Sequence, residues 1–175
     1  WLILARTNPL LKQIPLILKN KGFFFETKDG QSISKKFYDD ILNWDKFRKG
    51  EEIAEVQLQR LLEKIKGKPN KSLKWYDAFT NVSQEKIDYV FKMIINGEDL
   101  SKSPRIKVST IHSAKGGEAT NVVLFLNQTI NTIRAANKSV WKQDEEYRVW
   151  YVGVTRAIQD LYLVKCKNKQ KEFII

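Results

Sequence analysis

VSTIHSAKGGEATNVVLF, from Val108 to Phe125, sets two apolar, β-branched runs on either side of a polar turn. The first run belongs to IKVSTIH, whose β-branched content predicts a strand over 106–112. SAKGGEAT, 113–120, carries adjacent glycines and reads as a turn, and NVVLFLN, 121–127, reads as a buried strand. A helical period follows from Asp144 to Ala157, and DLYLVKC from Asp160 to Cys166 closes as a strand. Strands that alternate with helices predict an α/β fold, a parallel sheet with helices on its faces.

The amino-terminal residues repeat the pattern. WLILAR suits a buried parallel strand, Asn8-Pro9 starts a helix with Asn as cap, LLKQIPLILKNKG keeps helical spacing to Gly22, and FFFET forms a second strand. Pro15 interrupts that helix and predicts a kink. Between these parts, residues 27–105 change character. SKKFYDDILNWDKFRKG aligns Phe37, Ile41 and Trp44; EEIAEVQLQRLLEKIKGKP aligns Ile53, Leu58, Leu61, Leu62 and Ile65; SQEKIDYVFKMIINGE aligns Ile87, Phe91 and Ile94. The expected organisation is one α/β domain, 1–26 and 106–175, with a short helical insertion at 27–105.

The chain has 175 residues, 42% of them hydrophobic, which is enough for a real core and excludes disorder. Its net charge of +11 favours a polyanionic partner, above all nucleic acid. One cysteine, Cys166, rules out a disulfide framework and a thiolate zinc site, and one histidine argues against a histidine-based metal site. No metal site is expected. No apolar run reaches the ~18 residues of a membrane span, and the opening residues lack a signal peptide, so a cytoplasmic protein without membrane contact is expected. The chain opens inside a strand without Met and reads as a piece of a longer polypeptide.

In an open parallel sheet, ligands bind outside the carboxyl ends of the strands. Thr110, His112 and Ser113 fall at such an edge, the glycines at 116 and 117 let the backbone approach a ligand, and Glu118 can accept from a ribose hydroxyl. A plain tight turn with His112 bonded locally explains the same residues. In EEYRVWYVGVTRA, Glu145 to Ala157, a helix with Val149, Trp150 or Tyr151, and Val152 on its buried face ends at Arg156. A guanidinium held there is suited to a terminal phosphate. From this stretch alone, a structural salt bridge to Glu145 or Glu146 is the simpler explanation. No G-x-x-x-x-G-K-[ST] loop occurs, so a phosphate cradle and metal ligands must come from elsewhere if the chain handles ATP.

Together these stretches resemble the UvrD/Rep/PcrA family of superfamily 1 DNA helicases, in its second, C-terminal RecA-like motor domain. VSTIHSAKGGEATNVVLF is similar to motif V (T-x-H-x-x-K-G-L-E), EEYRVWYVGVTRAIQDLYLV to motif VI (E-E-R-R-L-x-Y-V-x-I-T-R-A), and LARTNPLLKQIPLILKNKGFFF to motif IVa. The resemblance implies an ATP-dependent DNA helicase or translocase. Arg156 is then the catalytic arginine that reaches the γ-phosphate, and Gly116 and Glu118 face the nucleotide. Thr110, His112, Ser113 and Lys115 face single-stranded DNA, Arg6 is structural, and Tyr151 packs. It further implies ATP with Mg2+, and an N-terminal RecA-like domain of the same polypeptide that supplies the phosphate loop and metal ligands, without which this piece is inactive. Bacterial or phage-infected cytoplasm is the expected setting. Gly117 and Ala119 depart from the family's Leu and aromatic, and 27–105 is far shorter than the family's accessory domain. Ala114-Lys115-Gly116, where RecD-like helicases carry S-Q-G, and the Glu145-Glu146 lead-in imply 3′ to 5′ movement. The alternatives are a helicase-like DNA- or protein-binding module without catalysis, and part of a helicase–nuclease subunit.

Overall fold

The computed structural model describes residues 1–175 apart from Lys66, Asn81 and Lys115. In chain order the elements are β1 (Leu2–Ala5), α1 (Asn8–Leu11), α2 (Ile14–Lys21), β2 (Phe25–Thr27), β3 (Gly30–Gln31), α3 (Lys35–Lys49), α4 (Glu55–Leu62), α5 (Trp75–Ala78), α6 (Gln84–Ile95), β4 (Ile106–Thr110), β5 (Ala119–Phe125), α7 (Ile130–Ala136), α8 (Val140–Val154) and β6 (Ala157–Val164). The strands form one six-stranded sheet in the order β3-β2-β4-β1-β5-β6. The β1/β4, β1/β5, β2/β4 and β5/β6 ladders are parallel. The α/β, RecA-like sheet flanked by helices is therefore the fold.

Two compact units divide the chain. The first comprises Trp1–Leu18, Phe25–Gly30 and Pro104–Ile175, and the second Lys19–Phe24 and Gln31–Ser103. In the sheet unit, Leu2 and Leu4 of β1, Val122 and Leu124 of β5, Ile111 and Leu126 pack with Trp150 of α8. Helix α8 presses on this layer at Gly153, where an added Cβ would stand 3.3 Å from both Ile111 Cδ1 and Leu124 Cδ1.

In the helical unit, α3 starts at Ser34, whose hydroxyl accepts from the Phe37 amide, and stops at Gly50, whose φ of +75° only glycine adopts easily. Trp44 of α3 is buried, donates to the Leu73 carbonyl at 3.1 Å, and meets Phe79 edge-on. Helix α6 is capped by Ser83 and buries Ile87, Tyr89, Val90 and Met93.

Several local expectations change. The first helix breaks into α1 and α2 at Lys12–Gln13, because Pro15 has no N–H for the carbonyl four residues back and is tolerated only in a first turn. Its cap position is Thr7 rather than Asn8. Helix α8 ends at Val154, and β6 starts at Ala157, since the Ala119 amide takes the Arg156 carbonyl at 3.0 Å and draws the chain into the sheet. Phe91 and Ile94 lie on the exposed side of α6; the buried stripe steps Ile87, Val90, Met93. Ile53 precedes α4 and Leu62 stays 40% exposed, so Leu61 alone of that helix is buried.

Candidate nucleotide and nucleic-acid sites

Strand register sorts the candidate residues onto two edges of the sheet. Leu4 pairs with both Ser109 and Leu124, so Thr110 stands at the carboxyl end of β4, and the residues after it lead back toward the amino end of β5, with Ser113 in a cavity shared with Glu118. Ala119 pairs with Ala157, which puts Glu118 and Arg156 at the amino ends of β5 and β6. At about 3.3 Å per residue, the paired levels of Leu124 and Ala119 are roughly 17 Å apart along β5.

At the carboxyl edge, the Thr110 hydroxyl donates to Ser113 Oγ at 3.0 Å and accepts from the Ser113 amide at 3.3 Å. A single turn of 3-10 helix, His112–Ala114, carries the chain away, with His112 and Ser113 exposed. Arg6, just past β1, reaches His112 Nδ1 at 3.3 Å. A guanidinium only donates, so Nδ1 accepts there. Lys115 lies outside the described residues.

Arg6 has a second and stronger partner. Its Nε and Nη2 each stand 2.8 Å from one oxygen of Glu146, a forked pair. Glu146 is only 6% exposed, and its Oε1 also accepts from Trp150 Nε1 at 2.8 Å and Gln128 Nε2 at 3.4 Å. This network joins the ends of β1 and β5 to α8. Motif matching placed Arg6 in a structural role without finding its partner. The signal was present: Glu146 and Trp150 are four residues apart on one helical face, and Arg6 follows a buried strand on the same edge.

Beside the network lies a cavity of about 540 Å3, lined by Arg6, His112, Lys138, Lys142 and Arg148 over Ile111, Val149 and Val152. Arg148 is exposed and pairs with Asp144 at 2.6 Å. Neither the cavity nor Arg148 was visible from motif spacing.

At the amino edge, Arg156 is partly buried. Its Nε donates to the Val152 carbonyl at 3.0 Å, Nη2 to Thr155 Oγ1 at 3.1 Å, and Nη1 to the Gly117 carbonyl at 3.5 Å. The arginine thus caps the carboxyl end of α8, where cations are favoured. The expected alternative, an ion pair with Glu145 or Glu146, does not form: Glu145 pairs with Lys142 at 2.7 Å and Glu146 with Arg6. Among the described residues no carboxylate neutralises Arg156. Gly116 takes a φ of +79°, and Glu118 is exposed. Ser113, Gly117 and Glu118 share a cavity of about 350 Å3 with Trp1, Leu2 and Lys107. Tyr151 does not pack; it is 70% exposed, because Glu146, Trp150 and Gly153 form the inward stripe of α8.

Among the described residues no helix is long and apolar enough to cross a membrane, and no group of three or more His, Cys, Asp or Glu could hold a metal ion.

The profile of the UvrD-like helicase C-terminal domain matches residues 26–168. The chain is 30% identical over 125 residues to the ATP-dependent DNA helicase srs2 of Schizosaccharomyces pombe, a match that covers 69% of this chain and 14% of that protein. It is 35% identical over 74 residues to a probable DNA helicase II homolog of Mycoplasma capricolum subsp. capricolum, covering 41% of this chain and 10% of that protein. The chain therefore belongs to the UvrD-like helicase C-terminal domain family.

Proposed function

We propose that this chain is the second motor domain of an ATP-dependent DNA helicase or translocase that moves 3′ to 5′ on single-stranded DNA in the cytoplasm. The observation that carries the proposal is Arg156: a guanidinium fixed by backbone carbonyls, with no carboxylate to neutralise it among the described residues. Such a group is pre-positioned for charge that builds on a transferred phosphoryl group. Glu118 and the Gly116 backbone belong to the same nucleotide face. In this reading Thr110, His112 and Ser113 face DNA together with Lys115, which lies outside the described residues, and the net charge of +11 supports contact with phosphates without sequence readout.

The sequence holds no phosphate loop, so an N-terminal RecA-like domain of the same polypeptide supplies that loop and the ligands for Mg2+, which neutralises phosphate charge when bound. The two-unit division is compatible with a motor domain that carries a reduced helical insertion at 27–105. By itself the 175-residue chain is then inactive in hydrolysis.

One observation favours a different arginine. Arg148 lines the 540 Å3 cavity at the carboxyl edge together with Arg6 and His112, and that is the edge where parallel sheets bind ligands. In this second reading Arg148 meets the phosphate and Arg156 is only a helix cap.

Steady-state ATP hydrolysis by the parent polypeptide, with and without single-stranded DNA, tests the proposal. DNA-stimulated hydrolysis is the expected result. DNA binding without hydrolysis identifies a binding module instead, and nuclease activity in the parent identifies the helicase–nuclease alternative.

A further inference from the structure

Arg6 divides its guanidinium between two partners beside the carboxyl ends of β1 and β4. Nε and Nη2 form the fork on Glu146, each at 2.8 Å, and Nη1 stands 3.3 Å from His112 Nδ1. Two parallel hydrogen bonds fix the plane of the guanidinium as well as its place. Glu146 is held in its turn by Trp150 Nε1 at 2.8 Å, and the Trp150 ring stacks on Phe173 with centroids 4.6 Å apart. Trp150 and Glu146 are both buried. The donor that meets His112 is therefore set from the core outward, through Phe173, Trp150, Glu146 and Arg6 in turn.

A ring nitrogen that accepts a hydrogen bond carries no proton. Arg6 has donors only, so Nδ1 of His112 is the unprotonated nitrogen, and the ring is the neutral form with its proton on Nε2. Imidazolium, with a proton on each nitrogen, would set Nδ1–H against the Arg6 Nη1–H. The surroundings add to this. Lys138, Lys142 and Arg148 line the cavity that His112 shares with Arg6, and a charged ring would add a further cation to that lining. Its carboxylates, Glu145 and Glu146, are engaged by Lys142 at 2.7 Å and by Arg6 at 2.8 Å.

We infer that Arg6 and Glu146 are positioning residues of the DNA edge: they hold His112 as the neutral imidazole protonated at Nε2, so that the histidine offers single-stranded DNA an N–H donor without a charge. The inference rests on the reading that His112 faces DNA and deepens it. A cationic side chain on a phosphate releases counterions and makes binding depend on salt, whereas a neutral N–H gives direction alone. The buried pair thus has a task beyond joining β1 to α8. Without the fork, Nη1 no longer occupies Nδ1, and the ring is free to move its proton between both nitrogens.

The chain has a single histidine, so its imidazole can be observed alone by nitrogen NMR when no histidine tag is attached. The isotope-labelled chain is recorded near neutral pH without DNA, unaltered and as the double variant Arg6→Met with Glu146→Leu, which leaves the net charge as it was. Circular dichroism checks the fold. Two-bond proton–nitrogen correlations report which nitrogen is protonated. The expected result is the Nε2–H pattern alone in the unaltered chain and signals averaged over both tautomers in the double variant. An Nδ1–H or imidazolium pattern in the unaltered chain overturns the inference, as does an unchanged pattern in the double variant. Binding of a single-stranded oligonucleotide is then measured against salt for both chains and for His112→Ala. Loss of one neutral hydrogen bond should weaken binding by His112→Ala about 2- to 10-fold, and by the double variant to a smaller extent, with the salt slope unchanged in both. A slope lower by about 0.7 in His112→Ala, the mark of one lost charged contact on a single strand, overturns the neutral donor. Full affinity in the double variant beside a loss in His112→Ala overturns the positioning role. Full affinity in both, with the Nε2–H pattern present, sinks the DNA contact of His112 and leaves the motor-domain reading of Arg156 standing; no binding by the unaltered chain overturns the DNA reading of this edge itself.

Discussion

Replacing Glu146 with Ala should cost more stability than any other single polar truncation in the sheet unit. The carboxylate is 6% exposed and accepts four hydrogen bonds, two from Arg6, one from Trp150 and one from Gln128. Its removal leaves the Arg6 guanidinium, whose side chain is 18% exposed, without its counter-ion, and strands a buried indole N–H. An orphaned buried donor costs about 1–3 kcal/mol, and breaking a buried pair from one side about 3–5 kcal/mol in all. With a urea m-value of about 2 kcal/mol/M, the midpoint should fall by roughly 2 M. The assay is urea unfolding followed by far-UV circular dichroism. The double variant Arg6→Met with Glu146→Leu removes both charges and should recover at least about 1.5 kcal/mol relative to Glu146→Leu alone. A loss below about 1 kcal/mol in Glu146→Ala, the value of an exposed pair, would refute the reasoning, as would a double variant no better than the single.

Gly22→Ala should destabilise by about 2 kcal/mol or more, since φ is +73° and the new Cβ would stand 2.6 Å from Lys92 Cβ; Gly50→Ala, at φ +75° with open space around it, should lose only about 1–2 kcal/mol. Thermal unfolding of the two variants separates left-handed strain from steric conflict. Gly153→Val should cost about 1–3 kcal/mol, because its methyls must enter a gap already only 3.3 Å from Ile111 and Leu124 at the Cβ position. Burial pushes the Tyr89 hydroxyl up to about 12, while it donates to the Phe23 carbonyl at 2.6 Å. In the unfolded chain it ionises near 10, so its contribution is intact below about pH 10 and falls away as pH rises toward 12. An ultraviolet titration should show a late-ionising tyrosine that is absent in Tyr89→Phe.

The α/β pattern was legible in the sequence because buried parallel strands are short apolar runs, and LILA, VST and VVLF differ plainly from the helices between them. Helix α3 was legible in outline, since SKKFYDDILNWDKFRKG opens on Ser34, whose hydroxyl caps the helix, and closes on Gly50, which has no Cβ to oppose a φ of +75°. The inward face of α8 was not. Its stripe runs through a carboxylate and a glycine, Glu146 and Gly153, which hydrophobic periodicity reads as outward or neutral, while the exposed Tyr151 reads as core. Burial of Glu146 depends on Arg6, 140 positions away in sequence, and no local pattern reveals such a partner. The same limit applies to the candidate sites. The motifs assign Thr110 to DNA and Glu118 and Arg156 to the nucleotide, and strand register adds that the first lies at one edge of the sheet and the other two at the opposite edge.

That separation makes one measurement decisive for the motor-domain account: the rate of DNA-stimulated ATP hydrolysis by the full-length parent protein, compared among wild type, Arg156→Ala and Arg148→Ala, each checked for folding. The account predicts that Arg156→Ala lowers the rate by about 10³ or more, the scale of a lost phosphate-contacting arginine, while Arg148→Ala retains most of it. Hydrolysis unchanged in Arg156→Ala and abolished in Arg148→Ala would contradict it, leaving Arg156 as the cap of α8 and moving the phosphate contact to the carboxyl edge.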